Sequence, residues 1–100
     1  MLCVTITCKN KVEAEHIGGL LLRKKLVACA NMFPVSSRYW WKGKVEQNEE
    51  YMVSCKTVKE KLAAVQKEML KLHSYDLPVM SWREEKATAD VEKWIKGELT

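Results

Sequence analysis

The hydrophobic period of this chain alternates between that of a strand and that of a helix, and the order of the alternation leaves few folds open. Leu2, Val4, Ile6 and Cys8 share one side of a first strand, with Cys3, Thr5 and Thr7 on the other. Asn10 then stands where a helix is capped, and Glu13 can reach back to that cap. Ala14, Ile17, Leu20 and Leu21 follow at helical spacing, and Lys24 and Lys25 suit the C-terminus of the helix. The stretch LVACANMFPV (26–35) is apolar almost without interruption and predicts a buried strand broken at Pro34.

The chain resumes as SSRYWW, turns at Lys42-Gly43-Lys44 and returns through VEQNEEYMVSCKT, a long hairpin. Its base joins the sheet, with Val45, Tyr51, Val53 and Cys55 on one side and Met52, Ser54 and Lys56 on the other. The middle of the returning strand, EQNEE, is too polar to face a core, so the tip is expected to project. Thr57 and Glu60 form a second capping-box pattern ahead of Leu62, Val65, Met69 and Leu72, a strong helical stripe. HSYDLP ends that helix, VMSWRE makes a short last strand, and Thr88 caps a final helix. In it Val91, Trp94 and Ile95 are expected inward, with Gly97 at its end. Strand, helix, strand, strand, helix, strand is the ferredoxin-like, split β-α-β order of the α+β class. The 100 residues read as one domain, 1–100, with a C-terminal helix added.

One stretch asks more than the fold answers. In SSRYWWKGK, Tyr39, Trp40 and Trp41 are consecutive, and strand neighbours point to opposite faces. The hairpin tip is therefore apolar on both faces, and something has to cover both.

Charge narrows the possible partners. The net charge of +4 is spread along the chain with acids between the lysines, so no basic block marks a nucleic-acid groove or an anionic membrane. No apolar run approaches a membrane span, and MLCVTITCKN lacks a signal peptide's basic start and long core; a cytoplasmic protein is expected. Cys3, Cys8, Cys29 and Cys55 form no Cys-x-x-Cys pair and are expected as free thiols.

The segment LVACANMFPVSSRYWWKGKVEQNEEYMVSCKT resembles the signature of the CutA family of divalent-cation tolerance proteins. HSYDLP resembles that family's His-Pro-Tyr-Glu-x-Pro segment, and Trp94 stands at a usual family position. The resemblance covers nearly the whole chain. It implies a homotrimer of ferredoxin-like subunits, similar in build to the PII proteins, and a part in the response to copper or other divalent metal ions without an enzymatic reaction. The tip's cover would then be another copy of the chain. Two positions depart from the family: Ser74 replaces a proline, and Val79 stands where a glutamate is common. In the family that glutamate is a proposed metal ligand with a cysteine and a histidine.

Cys8 is the foremost soft-metal ligand, since a thiolate beside a helix N-terminus is favoured and suits reduced copper or zinc. Against this, Cys8 also extends the apolar face of Leu2, Val4 and Ile6. His73 offers an imidazole at the end of the second helix, or simply a contact to the last carbonyls. His16 reads as an exposed polar position. Neither histidine has a partner at zinc-site spacing. Tyr39, Trp40, Trp41, Lys44, Glu46 and Tyr75 are the candidates for a trimer interface or a ligand pocket. Glu46, Glu49 and Glu50 serve either hard cations or, more simply, solvation and ion pairs with Arg38, Lys42 or Lys44.

Other classes fit less well. RNA-recognition modules share this element order, but KGKVEQNEEYMV carries acids where they carry aromatics beside basic residues, so no nucleic acid is expected. An acylphosphatase-like hydrolase would want an arginine after the first strand, and CKNKVE has none. No phosphate loop or Ser-His-Asp set can be assembled, so no enzyme is expected. The alternative to a metal role is a PII-like sensor of a small ligand.

Overall fold

The computed structural model describes residues 1–100. Strand β1 (Leu2–Cys8) is followed by helix α1 (Lys11–Arg23), strands β2 (Cys29–Trp41) and β3 (Lys44–Thr57), helix α2 (Leu62–Leu72), strand β4 (Met80–Glu84) and helix α3 (Ala89–Glu98). The sheet order is β2-β3-β1-β4 and every pairing is antiparallel, the ferredoxin-like arrangement.

The alternation in β1 decides which face is core. Val4, Ile6 and Cys8 are fully buried with Val53 and Cys55 of β3, against Ala14, Ile17 and Leu21 of α1 and Val65 and Met69 of α2. Both helices therefore cover one face. The end of the Met32 side chain packs over Gly18, where its Cε lies 2.6 Å from the place a Cβ would take.

Strands β2 and β3 pair from Cys29↔Lys56 to Trp41↔Lys44, closed by Lys42 at φ 50° and Gly43 at φ 79°. Positive φ at both positions is the hairpin turn whose twist matches the strands. Because β1 pairs with only Tyr51–Thr57 of β3, the rest of the hairpin projects, and the molecule measures 44 × 25 × 21 Å.

Several expectations are corrected. Strand β2 runs unbroken through Pro34 and exposes Asn31 and Phe33. It is an edge strand, where a missing N–H breaks no ladder and only one side meets the core. Thr57 does not cap α2. It ends β3, fully buried, and its hydroxyl donates to the Leu26 carbonyl at 2.6 Å, while a 3-10 turn at Lys59–Lys61 leads into the helix. Of the three residues expected inward in α3 only Ile95 is buried; Val91 is half-buried, Trp94 is 46% exposed, and the helix continues past Gly97 to Glu98. Thr88 stands at the N-cap without a side-chain bond. Glu50, read as part of a solvated stretch, is buried.

Candidate functional site

The ends of three elements meet below the hairpin. Cys8 closes β1 on its core face. Two residues on, Asn10 Oδ1 accepts the Glu13 N–H at 2.9 Å and caps the helix as expected, but the Glu13 side chain passes the Asn10 amide by. The Glu13 carboxylate goes further than its own helix. Oε1 accepts the Lys9 N–H at 3.1 Å, and Oε2 accepts the Ser74 N–H at 3.2 Å from the loop after α2. His73 ends α2 with its N–H on the Met69 carbonyl, and its side chain is fully buried. Its Nε2 lies 2.6 Å from the Thr7 carbonyl, and its Nδ1 accepts the Tyr75 N–H at 3.1 Å.

One donor atom each from Cys8, Glu13 and His73 lies within 4.8 Å of the others. Cys8 and His73 were foreseen as a pair; Glu13 was not. The capping pattern had already explained its acid, and only the return of the loop at Ser74 shows its second use. Val79 lines the neighbouring cleft, and its carbonyl accepts the Thr7 N–H at 3.1 Å. The cluster's carboxylate comes from Glu13, on α1.

The electrostatics decide between the two readings of Cys8. Cys8 is not a stabilised thiolate: burial, then the charges of Glu13 and Glu50, push its thiol up to about 12. Asn10 already takes the Glu13 N–H at the positive end of α1. For Glu13 burial opposes the charge, but the Ser74 and Lys9 hydrogen bonds and nearby His73 outweigh it and hold the carboxyl below its ordinary range. Burial, and then its hydrogen bond to Glu50, raises the Tyr75 phenol.

Thiol, imidazole and carboxylate together suit a borderline ion such as zinc or copper. His73 Nδ1 and Glu13 Oε1, 3.8 Å apart, are already within the reach of two ligand bonds of about 2.0–2.3 Å to a shared ion. Every buried side-chain nitrogen and oxygen already has a partner, so ligation would exchange existing hydrogen bonds. The donor set fits a metal in kind, with that exchange.

Beside the cluster, Tyr75 joins Tyr39, Trp40 and Trp41 on a cleft of ≈ 690 Å³, which Lys9, Arg38 and Glu50 also line. Lys44 and Glu46 lie outside it, opposite Trp41 and Tyr39 in the hairpin ladder. Asn48 Nδ2 donates to the Tyr39 hydroxyl at 2.6 Å, and Lys42 Nζ sits 5.8 Å from the Trp41 ring centroid. The hairpin acids are bound locally: Ser36 donates to Glu49 at 2.7 Å and the Tyr75 hydroxyl to Glu50 at 2.5 Å. Trp40 remains 75% exposed on the single chain.

The profile of the CutA1 divalent ion tolerance protein family matches residues 2–98. A divalent-cation tolerance protein CutA of Thermotoga maritima is 36% identical over 97 residues, covering 96% of each chain. That of Archaeoglobus fulgidus is 45% identical over 75 residues, 75% of this chain and 74% of its own. A solved structure of the Archaeoglobus fulgidus protein, described as periplasmic, superposes with a TM-score of 0.95 at 37% identity and full coverage of both chains. The PII-like protein CutA of Nostoc sp. PCC 7120 superposes at 0.93 with 27% identity, covering 100% of this chain and 98% of its own.

Proposed function

The chain belongs to the CutA1 divalent ion tolerance family, and from that premise we propose a homotrimeric, non-enzymatic protein that responds to divalent metal ions by binding them at Cys8, Glu13 and His73. The convergence of a thiol, a carboxylate and an imidazole from the ends of β1, α1 and α2 carries the proposal. Copper and zinc are the ions that this mixed sulfur, nitrogen and oxygen set favours. A bound ion would supply the fixed charge and the cross-link between three elements that the neutral thiol cannot. Cys8 would give up its proton, Glu13 would bring a full negative charge, and His73 would turn a ring nitrogen from a hydrogen bond to the ion.

Trimer formation rests on the projecting hairpin. Trp40 and Val45 oppose each other near its tip, and both are largely exposed on the single chain. A second copy is an economical cover for apolar surface on a strand pair with a free edge.

Native mass spectrometry, joined to copper and zinc competition titrations of wild type and Cys8→Ser, tests both parts. A trimer that takes up one ion per subunit, with affinity lost in the variant, is the expected result. Equal affinities in the two proteins would remove Cys8 from the site.

The cleft favours a second role, recognition of a small ligand in the manner of a PII-like sensor. Four aromatic rings with Lys9 and Arg38 beside them suit a partly apolar anion. Ligand-induced stabilisation of the wild type that persists in Cys8→Ser, without metal uptake, would favour this role.

A further inference from the structure

We propose that Tyr75 is a positioning residue that couples ion occupancy at Cys8, Glu13 and His73 to the β2–β3 hairpin, a step that rests on the metal role proposed above. A backbone carbonyl only accepts, so the 2.6 Å contact from the Thr7 oxygen places the ring hydrogen of His73 on Nε2. Nδ1 then carries the ring's lone pair, 3.8 Å from Glu13 Oε1, and that lone pair is taken by the Tyr75 N–H. Glu13 Oε2 is taken in the same way by the preceding amide, that of Ser74. Two consecutive backbone N–H groups thus occupy two of the three candidate ligands. An ion ligated by Nδ1 displaces the Tyr75 amide.

Tyr75 cannot shift alone. Its ring packs on His73 with centroids 4.8 Å apart, and its hydroxyl donates to Glu50 Oε2. Glu50 is only 5% exposed, on β3 opposite Val35, within the hairpin. Tyr75 and Glu50 also line the cleft that Trp40 and Trp41 border. One residue therefore holds a metal ligand through its backbone and the hairpin through its phenol, and ligation at the first end alters the second.

Zinc titration of the full chain carrying Trp82→Phe and Trp94→Phe tests this, because Trp40 and Trp41 are then its only tryptophans. Zinc should change their emission, saturating together with uptake measured by a chromogenic chelator. Tyr75→Phe in that background should bind zinc within about tenfold of its parent, since it keeps the backbone amide on His73 Nδ1 and loses only a hydroxyl bonded to none of the three candidate ligands, but should lose the emission change. Glu50→Gln, which keeps an acceptor for the phenol, should retain the change, and Glu50→Ala should lose it. Zinc uptake without an emission change in the parent, or a full change in Tyr75→Phe, overturns the coupling and leaves metal binding standing. Loss of zinc uptake in Tyr75→Phe also overturns it, since the phenol would then maintain the site itself. Failure of the parent to bind zinc by chelator competition overturns the coupling and the zinc part of the proposed function.

Discussion

Glu13 and Ser74, 61 residues apart, are joined by a 3.2 Å hydrogen bond from the Ser74 amide to the Glu13 carboxylate. The bond ties the first turn of α1 to the loop that leaves α2, and with it holds His73 beside Cys8. Glu13 is 8% exposed, so its loss leaves the Ser74 and Lys9 amides short of an acceptor. Glu13→Ala is expected to destabilise the fold by about 1–3 kcal/mol for each amide left unpaired. Urea unfolding of the two proteins measures it; an unchanged midpoint would mean that water replaces the carboxylate at no cost.

Metal binding at Cys8 has to release a proton, because the thiol is raised to about 12 by burial and by Glu13 and Glu50. Below that pH the affinity should climb about tenfold for each unit of pH while one proton is displaced. Calorimetry in buffers of different ionisation enthalpy counts the protons. A pH-independent affinity would exclude Cys8 as a thiolate ligand.

Cys8 and Cys55 also set an alkaline limit on stability. Burial raises both thiols from 9.0 to about 12, so in the native state they stay protonated at pH values where the unfolded chain ionises. Their contribution is therefore complete below about 9 and lost as pH rises through about 12. The urea midpoint should decline across that window, and Cys55→Ala should decline less steeply than wild type. Parallel slopes would show that other groups govern the loss.

Trp40 presents most of its surface to solvent on the single chain, so its substitution should spare the subunit fold and weaken assembly. Trp40→Ser is expected to keep its far-ultraviolet circular dichroism and to dissociate at concentrations where the wild type scatters light as a trimer. A wild type that is monomeric at micromolar concentration would count against the trimer itself.

Thr57 offers a test of a buried hydroxyl. Thr57→Val conserves shape but strands the Leu26 carbonyl, which the hydroxyl meets at 2.6 Å. A loss of about 1–3 kcal/mol is expected. A neutral result in chemical denaturation would place another donor at that carbonyl.

The candidate site was half legible. Cys8 and His73 stand out as soft donors at the ends of elements, and those ends can be located from hydrophobic period alone. Glu13 and Glu50 could not be singled out in this way. One satisfies a local capping pattern, and the other sits in a run of acids that is solvated along most of its length; its burial and its hydrogen bond from Tyr75, 25 residues on, are tertiary facts. Thr57 is a similar case. Its sequence neighbours make it a helix cap, while its actual partner lies 31 residues away.

The sequence by itself determined what depends on neighbours along the chain: the faces of β1, the capped start of α1, the stripe of α2 and the Lys42-Gly43 turn that sets the hairpin register. Period, capping and turn chemistry act within a few residues, so they can be read without a fold. Only the tertiary structure decided that β2 lies at a sheet edge, where Pro34 is harmless. It alone brought Cys8, Glu13 and His73 together, and it alone decided between the two readings of Cys8, in favour of a core thiol that keeps its proton. Each of these depends on which distant groups exclude water and on the charges they bring, and a folded chain sets both through contacts between elements.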